Sequence, residues 1–204
     1  QTCALPILYF TLEKGRYRDY TRELNLRTGE LHRHFIWTSP KGEEIAFDFY
    51  RIVSLKDLHV IAQRVEIKAI SKDLDIKVVS GIDGRMTNSG SQHFTDGDKR
   101  FYDKKYMQFI QSTTESNIDF VHTTTLSFFK EAMPFEPESM IFMQRRKIFS
   151  SYNVRVKAGE KITIEKISNV HTTRDLDNQG LSLKELQEKA LEELKLVGAK
   201  GYIT

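Results

Sequence analysis

Apolar and polar positions alternate at short range over residues 8–175, with turn residues between the runs. Leu8 to Leu12 is a first apolar run closed by Lys14-Gly15, and Arg22 to Leu26 leads into a turn at Thr28-Gly29. Leu31, Arg33, Phe35 and Trp37 then share one face, and after Ser39-Pro40-Lys41-Gly42 the residues Ile45, Phe47 and Phe49 alternate with Ala46 and Asp48. A period of two predicts strands with one buried face. Ile61, Val65 and Ile67 continue the theme against Arg64, Glu66 and Lys68, as do Leu74, Ile76 and Val78 before Gly81 and Gly84. Thr87 to Lys105, rich in Gly, Ser, Asp and Lys, reads as one long loop, and loops of that length are usually functional or disordered. Strands resume at Met107 to Gln111 and at Ile118 to Phe128, where Ile118, Phe120, His122 and Thr124 share a face. Met133 to Glu138, with two prolines, reads as loop. Tyr152, Val154 and Val156 run into Lys157-Ala158-Gly159-Glu160, and Ile162 and Ile164 return, which predicts a hairpin.

The period changes after Asp177-Asn178-Gln179-Gly180. Ser182-Leu183-Lys184-Glu185 has the form of a capping box, in which the Ser and Glu side chains each satisfy a free backbone N–H at a helix start. Leu183, Leu186, Ala190, Leu191, Leu194 and Val197 follow at helical spacing, with Gly198 as the predicted stop. A lone amphipathic helix after about ten strands implies a partner element beyond Thr204. The pattern therefore predicts a mainly β chain, an antiparallel β-sandwich followed by one helix, with an open-faced barrel as the alternative. There is no internal repeat or low-complexity segment.

Composition adds exclusions. The 204 residues carry 31 Lys plus Arg against 28 Asp plus Glu, a net charge of +3, too weak and too evenly spread for a nucleic-acid-binding surface. The longest apolar stretch, Cys3 to Phe10, is far short of the ~20 residues a membrane helix needs. The chain opens Gln1-Thr2-Cys3-Ala4-Leu5-Pro6-Ile7, without Met, and these seven residues match the translation of a common sequencing adapter. On that reading residues 1–7 are an artefact to be set aside, and sequence upstream of Leu8 is lost. Cys3 is the only cysteine, so a disulfide framework is ruled out.

Candidate chemistry is sparse. His32 and His34 point the same way on a strand, as two zinc-binding imidazoles would, but no third ligand can be named and hydrogen-bonded histidines are the simpler reading. Asp96-Gly97-Asp98 hints at calcium without the rest of a binding loop. Glu136 and Glu138 flank Pro137 as a carboxylate pair, on a segment that reads as solvated. Arg145-Arg146-Lys147 could meet a phosphate, yet strand alternation would turn Arg146 away from its neighbours, which favours a solvated strand edge. Trp37 could stack on a sugar ring or pack in the core with Leu31 and Phe35. No catalytic residue, metal site or cofactor can be assigned.

Several stretches together resemble the N-terminal domain of glycoside hydrolase family 65, the maltose, trehalose and kojibiose phosphorylases. They are Glu23 to Leu31 with Phe35-Ile36-Trp37; Tyr50 to Leu55 with Asp57-Leu58-His59; Ser80 to Gly84 with Asn88; Ala158-Gly159-Glu160 through Ile164-Glu165-Lys166; and His171 to Asp175. The resemblance implies a galactose-mutarotase-like super-sandwich over residues 8–175, and a linker with a first linker helix over residues 176–204. A catalytic (α/α)6-barrel, absent from this chain, would follow. It implies inverting cleavage of an α-glucoside disaccharide with inorganic phosphate as co-substrate and no cofactor, the acid glutamate lying in the barrel. It further implies a homodimeric cytoplasmic parent enzyme in which this domain braces the barrel and lends loops to the site entrance. His93 and Phe94, in the long loop, are the residues placed to contact a sugar, with Trp37 a further candidate. A freestanding carbohydrate-binding sandwich and the same domain from an α-glucoside hydrolase are the competing readings.

Overall fold

The computed structural model describes residues 10–202. The adapter-like leader, Cys3 and the start of the Leu8 to Leu12 run lie outside the described residues. Among the described residues twelve strands precede one α-helix: β1 (Arg16–Leu24), β2 (Leu31–Thr38), β3 (Glu44–Val53), β4 (Val60–Ala69), β5 (Leu74–Asp83), β6 (Asp98–Tyr102), β7 (Tyr106–Ser112), β8 (Asp119–Lys130), β9 (Met133–Phe135), β10 (Ser139–Gln144), β11 (Lys147–Val156), β12 (Lys161–Thr172) and α1 (Leu183–Lys200). Nine strands make one sheet in the order β1-β2-β3-β4-β12-β8-β7-β6, with β9 beside β8; β10-β11-β5 make the other. All pairs are antiparallel. This is a mainly β sandwich with one helix.

The alternation seen in the sequence fills the space between the sheets. Phe35, Phe47, Ile67, Met107, Phe128, Ile162 and Ile164 of the large sheet pack against Leu74, Ile82, Ile148, Val154 and Val156 of the small one. β7 and β12 are buried on both faces, because the back of the large sheet is covered as well. There Leu186, Ala190 and Leu194 of α1 are all 0% exposed, packed against Ile110 and Val121 and against Val60, Ala62 and Ile167. The apolar stripe of the helix thus has its partner within the chain, contrary to the expectation of an element beyond Thr204. The receiving face is built from strands distant in sequence, and the helical period does not report it.

Four further expectations are corrected. Tyr152 to Ile164 is not a hairpin: β11 pairs with β10 and β5, whereas β12 pairs with β4 and β8, so the Lys157–Glu160 turn carries the chain from one sheet to the other. The long loop contains β6, joined to β7 through Asp103 and Lys104 at φ 53° and 52°. The proline segment forms the short β9 on β8. Helix α1 passes through Gly198 and ends at Gly201, φ 74°. Gly198 marks a close approach instead, since a Cβ there would lie 3.3 Å from Thr125 Cγ2 on β8.

Candidate functional site: the loop end of the large sheet

The strand register brings one set of connections to one end of the large sheet. The β1–β2 turn (25–30), the β3–β4 turn (54–59), the β7–β8 turn (113–118) and the segment from β12 to α1 (173–182) all emerge there. The segment 84–97 joins them, because Phe94 bridges Thr113 and the His93 carbonyl accepts from Thr114 N at 2.9 Å. Side chains shape these turns locally. Asn25 Oδ1 accepts from the Arg27 and Thr28 amides, and Ser54 Oγ accepts from the Lys56 and Asp57 amides, local bonds that fix a turn without help from the sheet.

A polar cluster sits where this end meets α1. His59 Nδ1 contacts the Val170 carbonyl at 2.9 Å and Nε2 contacts Asp177 Oδ2 at 3.1 Å. Its ring stacks on that of His171 at 3.9 Å. His171 is 0% exposed, with Nε2 at 3.0 Å from Glu193 Oε2 of α1. Burial pushes His171 down to about 4, so its imidazole is neutral at neutral pH, and burial also raises Glu193. Lys189 Nζ donates to Asp177 Oδ2 (2.8 Å) and to Asn178 Oδ1 (2.7 Å), and the ammonium holds Asp177 down at about 2. Asp175 accepts from the Thr172 amide and hydroxyl at 2.6 and 2.7 Å. These groups lock the helix start to the sheet. Each was missed as a site residue, although Asp57-Leu58-His59 and His171 to Asp175 are two of the stretches that carry the family resemblance.

The predicted site residues do not converge. Phe94 lies in the wall of a cavity of about 150 Å³ with Phe120 and His122, its ring edge-on to Phe120 at 5.4 Å. His93 beside it is exposed. Trp37 is at the opposite end of the sheet, 3% exposed, donating from Nε1 to the Lys14 carbonyl at 2.7 Å. Its core reading is the one realised. His32 and His34 do share a face, but both ring nitrogens meet Asp48 Oδ1 at 2.9 Å. Arg145 and Arg146 form the β10–β11 turn and both ion-pair with Asp96, at 2.9 and 2.7 Å, so strand alternation does not separate them. The Asp96 carboxylate hinted at for calcium is thereby engaged. Glu136 and Glu138 are exposed. A larger cavity, about 700 Å³, opens between the sheets and is lined by Phe47, Phe49, Arg22, Arg33, Arg51 and Lys166.

The nine-on-three antiparallel arrangement with a helix across its back defines a β-sandwich domain. The chain belongs to glycosyl hydrolase family 65, whose N-terminal-domain model matches residues 8–204. It is 32% identical over 195 residues to the kojibiose phosphorylase of Halothermothrix orenii, covering 95% of this chain and 25% of that protein. The kojibiose phosphorylase of Escherichia coli is 23% identical, at 91% and 24% coverage, and the α,α-trehalose phosphorylase of Thermoanaerobacter brockii is 24% identical, at 96% and 26%. The chain spans about a quarter of the length of these relatives. A solved structure assigned as a kojibiose phosphorylase from the human microbiome superposes with a TM-score of 0.79 at 19% identity, over 91% of this chain and 23% of that one, and so shares the fold.

Proposed function

We propose that this chain is the non-catalytic N-terminal sandwich of an inverting α-glucoside phosphorylase. The observation that carries the reading is the match over residues 8–204 by a chain that spans only about a quarter of phosphorylases for kojibiose and trehalose. In the parent, the barrel that follows holds the acid glutamate, and inorganic phosphate attacks where water attacks in inverting hydrolysis. The sandwich of residues 8–175 braces that barrel, takes part in a homodimer and lends loops to the site entrance, while residues 176–204 lead toward it. The parent works in the cytoplasm, where a charged sugar phosphate is retained. Incubated with phosphate and kojibiose, trehalose or maltose, the purified chain is expected to release no glucose phosphate by coupled enzymatic assay. Release at a rate proportional to chain concentration overturns the non-catalytic role.

A further inference from the structure

Apolar side chains exposed at the surface of this domain are not evenly spread. Five of the six exposed leucines among the described residues, Leu24, Leu26, Leu55, Leu58 and Leu176, belong to the loop end of the large sheet. Leu26, Leu55 and Leu176 are 89%, 91% and 85% exposed. They stand at the tips of three separate connections, the β1–β2 turn, the β3–β4 turn and the segment between β12 and α1. Single exposed leucines are ordinary; several gathered at one end of a sheet from distant parts of the chain mark a docking surface. The backbone beneath them is fixed by the Asn25 and Ser54 turn bonds and by the His59–Asp177–Lys189 cluster, so the tips are presented on a rigid frame.

The end of the described chain says what covers them. After α1 the chain turns at Gly201, and the Tyr202 amide donates to Glu165 Oε2 at 2.9 Å. The Tyr202 ring lies under the Arg64 guanidinium, 4.6 Å away, and its hydroxyl donates to Glu30 Oε2 at 2.7 Å, at the foot of the β1–β2 turn. Arg64 in turn donates twice to Glu165 Oε1. Polypeptide continuing past this point starts out tethered beside Leu24 and Leu26, and the relatives are about four times as long as this chain. A tethered domain meets a surface next to its tether at high effective concentration, which favours that surface over any distant one.

We propose that the leucine rim is the docking surface for the catalytic domain that follows on the same polypeptide, which presents an apolar helical face to it. The inference rests on the function proposed above and adds to it the contact surface. The test is hydroxyl-radical footprinting of the full-length parent enzyme, read at Leu26, Leu55, Leu58 and Leu176 by mass spectrometry and compared with the same enzyme unfolded in urea. The rim leucines are expected to be labelled several-fold more slowly in the native enzyme, while Met140, 61% exposed on β10, is labelled nearly as fast in both states. In parallel, Leu55→Asp and Leu176→Asp should each lower the melting temperature of the full-length enzyme by several degrees, and Met140→Asp should leave it unchanged. Rim leucines labelled at the unfolded rate, with variants that melt like the wild type, overturn the proposal. Protection that disappears when the enzyme is diluted to monomers assigns the rim to a second copy and overturns it equally. Proteolytic release of the domain from the full-length enzyme with the rim still protected would do so as well. A phosphorolysis assay on the same preparation separates the two claims: an active enzyme with an exposed rim fails only the docking inference, and an inactive one fails the functional reading.

Discussion

Two histidines are held neutral by burial, and this makes the domain sensitive to mild acid. His122, in the wall of the small cavity, and His171, under α1, are both depressed from the ordinary 6.5 to about 4, in each case chiefly by loss of solvent. Above pH 6.5 the imidazoles are neutral folded or unfolded and contribute no pH dependence. Below it the unfolded chain binds protons that the folded chain refuses, so stability falls until the pH reaches the folded value. Each gap corresponds to roughly 3 kcal/mol at its full extent. Glu193, raised by burial, works in the opposite sense and offsets part of the loss. The melting temperature is therefore expected to drop between about pH 7 and about pH 5, well above the range where ordinary carboxylates titrate, and a His122→Gln, His171→Gln double variant should flatten the profile. An equally steep profile in the double variant would assign the acid sensitivity elsewhere. At this scale the sequence is legible only where partners are close in the chain. The shared face of His32 and His34 follows from spacing alone, but that Asp48 sits across both rings is set by the β2–β3 register.

Helix α1 combines a feature that was readable and one that was not. Its start is local: Ser182 Oγ accepts from the Glu185 amide at 3.3 Å and Glu185 Oε2 accepts from the Ser182 amide at 2.8 Å, as four adjacent residues predict. Its burial is non-local, resting on Ile110, Val121 and Ile167 from three strands. The two contributions differ in size. Ser182→Ala removes the hydroxyl's bonds to the Glu185 amide and carboxylate and should cost about 1 kcal/mol, whereas Leu194→Ala opens a hole at a fully buried position and should cost ~2–5 kcal/mol. Urea midpoints for the two variants rank them directly, and equal midpoints would mean that the helix adds little to stability beyond its own cap. The misread hairpin has the same origin. Alternation states that Val154, Val156, Ile162 and Ile164 face inward, and all four do, yet a turn between two inward-facing strands serves a hairpin or a crossing between sheets equally well. β6 escaped because its turn uses Asp103-Lys104 where Asn-Gly would have announced it.

Over the whole molecule, three of the five family-like stretches prove to be spatial neighbours. Glu23 to Leu31, Tyr50 to His59 and His171 to Asp175 come from three separate parts of the sequence and meet at the loop end, as does the Phe94 loop. Sequence order conceals this convergence, which the β2–β3, β4–β12 and β8–β12 pairings produce. If this end faces the entrance of the parent's active site, His93→Ala in the full-length enzyme should raise the KM for the acceptor sugar several-fold with kcat little changed. An unaltered KM would remove His93 from the entrance. The place of β12 has one more consequence. It is the last strand among the described residues, yet it lies in the middle of the large sheet, zipped to β4 on one side and β8 on the other. Until residue 172 has been made, the meander β1–β4 and the group β6–β9 lack the strand that joins them, and any half-sheet formed from either would present a raw central edge of unpaired backbone. A ribosome that stalls before that point would leave two sticky borders open to any strand, so aggregation of the unfinished chain is the expected cost of placing the final stitch at the centre.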